Sequence, residues 1–84
     1  MDLILIPTAG LQTWIRENEH EFTSIQLGTQ KGVMKDGTRF MYRVTEGDWL
    51  ERLRGTTIKS YSITRGVRLT TFEISALQAM MQMS

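Results

Sequence analysis

His20 is the only imidazole in the chain and stands between Glu19 and Glu21, residue types that suit a metal ion or an acid/base pair. Adjacent residues on an exposed segment do not converge on one point, so the run reads as the solvated end of a helix. Gly55-Thr56-Thr57-Ile58-Lys59-Ser60 has the tail of a phosphate-binding loop. Ile58, however, stands where such a loop needs a glycine to wrap backbone around phosphates, and the segment follows a helix rather than a strand. Asp2, Asp36, Asp48 and several glutamates supply carboxylates for a two-acid mechanism, yet no spacing selects a pair. With a single histidine in an acidic stretch, no nucleophilic triad can be assembled either. The expectation is a protein that is not an enzyme, with no metal, no cofactor and no small-molecule substrate.

The charged side chains say more by position than by sum. The first 30 residues set Arg16 against Asp2, Glu17, Glu19 and Glu21, a net of −3. Residues 31 to 68 carry nine cations (Lys31, Lys35, Arg39, Arg43, Arg52, Arg54, Lys59, Arg65, Arg68) against four acids (Asp36, Glu46, Asp48, Glu51), a net of +5. Arg39 and Arg43 share one face of a strand, and Lys59, Tyr61 and Arg65 share one face of another. Together with Arg68 they predict a basic sheet face for nucleic acid or for an acidic protein. The alternative is a solvated face whose arginine stems cover apolar neighbours. Thr57, Tyr61 and Ile63 also fit the core side of their strand.

The C-terminal segment is unusual in the opposite way, since Ile74 to Ser84 contains no charged residue in eleven positions. On a helix, Ser75, Gln78 and Gln82 form one narrow polar stripe, and apolar side chains cover the rest. A domain this small buries one face of a terminal helix, so Phe72, Ala76, Leu77, Met80, Met81 and Met83 are expected to meet another chain. The alternative is that this wide face closes an open side of the sheet, with the methionines filling gaps. A membrane-surface helix is disfavoured, because the polar stripe has no lysine or arginine.

These side chains must be positioned by a short series of elements. Leu3 to Ile6 read as a central strand buried on both faces, and Pro7-Thr8 as the start of a helix over 8–19 carrying Leu11, Trp14 and Ile15. From Phe22 the period changes to two, with Gly28 and Gly32 allowing a bulge or bend. Asp36-Gly37 predicts a two-residue type I′ hairpin, after which Phe40, Tyr42 and Val44 face one way and Arg39, Met41 and Arg43 the other. Thr45 with Asp48 has the form of a capping box before a short helix through Trp49, Leu50 and Leu53, ended by Gly55. A strand over 56–64 follows, and Thr70 with Glu73 opens a last helix over 71–83.

The predicted class is α+β: a small single-layer antiparallel sheet with helices on one face, in β-α-β-β-α-β-α order. That order matches the ferredoxin-like plait with an extra C-terminal helix; its rival is another α+β sheet with a long bent hairpin. The plait also hosts RNA-recognition motifs, but Thr38 and Arg43 stand where stacking aromatics would be, and the first strand has no aromatic.

Eighty-four residues and 9.7 kDa allow one domain, 1–84, able to bury about 60% of the surface of its unfolded chain. Without cysteine, disulfides and thiolate zinc sites are excluded. A formal charge of +1 argues against both an acidic DNA mimic and a histone-like protein. The apolar run Leu3–Ile6 is too short for a signal peptide or a span, which makes a cytoplasmic protein the expectation. Taken together, these features predict a protein-interaction module that self-associates or docks through its C-terminal helix. Regulators, adaptors and inhibitors have this make-up, including those of phages and mobile elements. A nucleic-acid-binding protein is the alternative.

Overall fold

The computed structural model describes residues 1–82. Five strands form one mixed sheet: β1 (Asp2–Ile6), β2 (Phe22–Gln26), β3 (Lys31–Met34), β4 (Arg39–Val44) and β5 (Ser60–Ile63). Three helices, α1 (Leu11–Asn18), α2 (Trp49–Arg52) and α3 (Thr71–Gln82), connect or follow them, and a 3-10 turn, Glu19–Glu21, extends α1. No described helix is long and apolar enough to cross a membrane.

The strand order is β2-β3-β4-β1-β5, with β1 parallel to both β4 and β5 and with β2, β3 and β4 antiparallel. The α+β class holds. The ferredoxin-like order and the all-antiparallel sheet do not, and the reason is one additional chain reversal. Residues 27–30 turn the chain back on itself, so the segment read as one strand is the hairpin β2-β3. The extra reversal leaves Arg39–Val44 beside β1, now running parallel to it.

β1 explains why helices are needed on both faces. It lies between two other strands, and Leu3, Leu5 and Ile6 are fully buried. Leu3 and Leu5 join Met41, Trp49, Leu53, Ile58, Val67 and Leu77 in one core, beneath α2 and α3. Ile4 and Ile6 face the other way, toward Phe22, Phe40, Tyr42 and the α1 residues Leu11 and Trp14. Helices on one face only would leave half of this strand in water. In the second core Trp14 meets Phe22, Phe40 and Tyr42 at ring-centroid distances of 5.2, 6.1 and 5.8 Å. This is within the range in which aromatic pairs add to simple burial.

Several local expectations change at the turns. Helix α1 starts at Leu11, not Thr8, because Gly10 N–H bonds to the Pro7 carbonyl at 2.9 Å and Ala9 takes a left-handed φ of 69°. The Asp36-Gly37 hairpin forms with a three-residue loop. Only Gly37 has positive φ, its N–H bonds to Met34 O at 3.0 Å, and Met34 N–H bonds to Thr38 O at 2.8 Å, a turn followed by a glycine bulge. Thr45 does not cap α2: its hydroxyl donates to the Ile6 carbonyl at 3.2 Å, tying the end of β4 to the end of β1. The predicted strand over 56–64 shortens to Ser60–Ile63, with Ile58 entering the core from the preceding irregular segment.

Candidate functional site

Two surfaces gather the side chains with something to offer a partner, and the fold splits each of the predicted sets. On α3 the burial pattern divides into opposite stripes. Glu73, Ala76, Leu77, Met80 and Met81 are buried or half-buried, with Leu77 at 0% exposure and Met80 and Met81 packed on the core beneath. Phe72, Ser75, Ala79 and Gln82 are exposed, at positions that recur along one side of a helix. Of the six residues expected to meet another chain, then, Ala76, Leu77, Met80 and Met81 belong to the face that closes the protein's own sheet. The methionines fill gaps there, as flexible side chains do. Of the five that are described, Phe72 alone points outward, 73% exposed. Met83 lies outside the described residues.

A capping box fixes the start of α3 and so the direction of Phe72. Glu73 N–H donates to Thr70 Oγ1 at 3.1 Å, and Thr70 N–H donates to Glu73 Oε1 at 2.8 Å. With the first turn held at one end and Leu77 buried below, Phe72 has no route into the core.

The six residues of the predicted basic face do not form one patch. Tyr61 is half-buried and packs against the core under α3. Arg43 is occupied within the fold, donating from Nη1 to Tyr42 O at 2.7 Å and Gln30 O at 3.3 Å. Partial burial holds its guanidinium below the ordinary arginine value. It locks the β2-β3 turn to β4, alongside Tyr42 Oη, which donates to Gln26 O at 2.9 Å. Arg39 stands at the starting end of β4, and the Lys59 N–H bonds to Met1 O at 3.0 Å at the same end of the sheet. Arg65 sits beyond the far end of β5, roughly 20 Å away at about 3.3 Å per strand residue. There it shares a hollow of about 260 Å³ with Pro7, Thr13, Trp14 and Glu17, so an acid accompanies it. Arg68 is exposed in the connection to α3.

The register reveals a surface that the sequence pattern did not. Residues paired across antiparallel strands point to the same side, and Val33 pairs with both Ser24 and Arg39, while Lys31 pairs with both Gln26 and Met41. Met41 belongs to the core under α2 and α3, so these side chains all lie on that face. Among the described residues no β2 or β3 side chain is packed in that core, and Ser24, Gln26, Lys31 and Arg39 are exposed, so this half of the sheet face is open. A hollow of about 200 Å³ there is lined by Met1, Ser24, Gln26, Lys31, Gly32, Val33, Arg39 and Phe40, with two cations and no acid. Lys31 was missed as a partner of Arg39 because its facing depends on the turn at 27–30.

His20 is exposed, with Nε2 3.8 Å from Glu21 Oε1, on the 3-10 turn. Among the described residues, no three metal-ligating side chains come together. The chain matches no family model, no curated protein and no solved structure.

Proposed function

We propose that the chain is a small, non-enzymatic protein-interaction module that self-associates through the outward stripe of α3. The observation that carries this reading is Phe72, a large aromatic side chain left 73% exposed on a helix whose outer face bears no charge. An exposed single apolar residue is ordinary, but a phenyl ring held in water by a formed capping box has no role in the fold itself.

The stripe is also self-complementary. Phe72 and Ala79 are seven residues apart, about 10.5 Å along the helix. When two copies of α3 meet antiparallel across a two-fold axis, the ring of each lies over the small residues Ser75 and Ala79 of the other. No like charges oppose one another, since Thr71, Phe72, Ser75, Gln78, Ala79 and Gln82 are all uncharged. One helix stripe is smaller than a standard stable interface, so association is expected to be weak and concentration-dependent.

Sedimentation equilibrium over a range of concentrations tests this. The parent protein is expected to approach a dimer, and Phe72→Glu or Ala79→Glu to remain monomeric with an unchanged circular dichroism spectrum. A parent that stays monomeric at the highest concentration overturns the proposal, as does a dimer that both substitutions leave intact.

A further inference from the structure

We propose that the uncovered half of the sheet binds the backbone of single-stranded nucleic acid, with Lys31 and Arg39 contacting phosphates and Lys59 extending the contact along the same end. This inference is independent of α3, whose outward stripe contributes nothing to it.

The charge arrangement carries the argument. Arg39 and Lys31 lie on neighbouring strands and on one face, offset by two residues, a diagonal separation of about 7–8 Å. Neither has a carboxylate partner among the described residues. The described cation–carboxylate contacts of Lys and Arg join Arg52 to Asp48 and Arg54 to Glu51, on and just after α2. The hollow between Lys31 and Arg39 contains no acid, unlike the hollow of Arg65, which contains Glu17. Of the acids near this end, Asp2 is occupied as acceptor of the Ser60 hydroxyl at 2.8 Å, and Asp36, three residues before Arg39 at the hairpin tip, accepts the Thr38 N–H at 2.9 Å. Ser24 and Gln26 add neutral hydrogen-bonding groups beside the cations, and Val33 and Met1 add apolar surface between them.

The shape selects the kind of nucleic acid. A duplex is read by an element that enters a groove, such as a helix or a protruding ribbon, whereas this surface is a shallow sheet face. A flexible single strand can lie across it, placing phosphates on the cations and bases against Val33 and Met1. An acidic peptide has the same sign of charge but does not present a flat base at every repeat of its charged backbone.

The test is fluorescence anisotropy with a labelled oligothymidylate and its RNA counterpart, titrated with the full chain at several salt concentrations. Three phosphate contacts predict that log K falls with log salt with a slope near 2, at about 0.7 per neutralised phosphate. Lys31→Ala and Arg39→Ala should each reduce that slope by about 0.7, and Arg65→Ala should leave it unchanged. Melting curves of the variants show that the fold is kept. Absence of binding at low salt overturns the proposal. So does a slope that Lys31→Ala and Arg39→Ala leave unaltered, or displacement of the oligonucleotide by polyglutamate at equal charge. The last result identifies an acidic protein as the occupant. Because Phe72→Glu should leave the salt slope unchanged, failure here and failure of the α3 interface are separately visible.

Discussion

Thr70 and Glu73 cap one another: each backbone N–H is accepted by the other's side chain, at 2.8 and 3.1 Å. Two amides that would otherwise be left unsatisfied at the start of α3 are thereby paired. Loss of an N-cap hydroxyl typically costs about 1 kcal/mol. Thr70→Ala is therefore expected to lower unfolding stability by about that amount, and Thr70→Ser to restore most of it. Chemical denaturation of the three proteins is the check.

Gly32 is required by close packing and not by its backbone angles. A Cβ placed there would overlap Phe40 Cζ, lie 2.8 Å from Phe40 Cε1 and 3.0 Å from the Ser24 carbonyl oxygen. Phe40 is 1% exposed and meets Phe22 and Trp14 at 5.3 and 6.1 Å, so its ring has nowhere to move. Overpacking of this kind costs about 1–3 kcal/mol. Gly32→Ala should destabilise the protein by that amount, whereas Gly28→Ala, with open space around it, should have little effect. Equal losses in thermal denaturation would refute the assignment.

The same two positions show what sequence pattern carries and what it does not. The Thr70–Glu73 box, the position of the Asp36-Gly37 hairpin, though not its turn type, and the apolar Leu3–Ile6 strand were legible because runs of neighbouring residues mark them. The turn between β2 and β3 was not. Its left-handed position is Gln30, at φ 58°, and not Gly28. A non-glycine residue held there by tertiary bonds to Tyr42 N–H and Arg43 Nη1 leaves no turn signature. From that one turn follow the direction of β4, the parallel pairs of β1 and the facing of Lys31. The outward stripe of α3 was blurred for a related reason: only the sheet beneath can say which side of an almost wholly apolar helix is inside.

Leu77 and Phe72 should therefore respond oppositely to truncation. Leu77 is fully buried in the core shared with Leu3, Leu5 and Trp49, and Leu77→Ala is expected to cost about 2–5 kcal/mol. Phe72→Ser removes an exposed ring and should change the stability of the monomer by about 0.5 kcal/mol or less. Denaturation at low protein concentration, where any self-association is suppressed, separates the two. A large loss at Phe72 under those conditions would show that its ring belongs to the core.

The tip of the β3-β4 hairpin sets a pH dependence of known sign. Asp36 Oδ1 accepts the Thr38 N–H at 2.9 Å, and that bond holds the carboxyl below the ordinary aspartate value. A carboxyl whose folded value lies below its unfolded value stabilises the fold at pH above the unfolded value, and that contribution is lost as pH falls through the folded one. Asp36 is exposed, so the effect on stability is small, and its own titration is the sharper measurement. Carboxyl NMR should give a midpoint for Asp36 below that of an unfolded peptide with the same sequence. Asp36→Asn keeps an oxygen acceptor without the titrating proton, and should flatten the hairpin's chemical-shift response to acid. A midpoint equal to the peptide's would mean that the Asp36–Thr38 bond does not persist in solution.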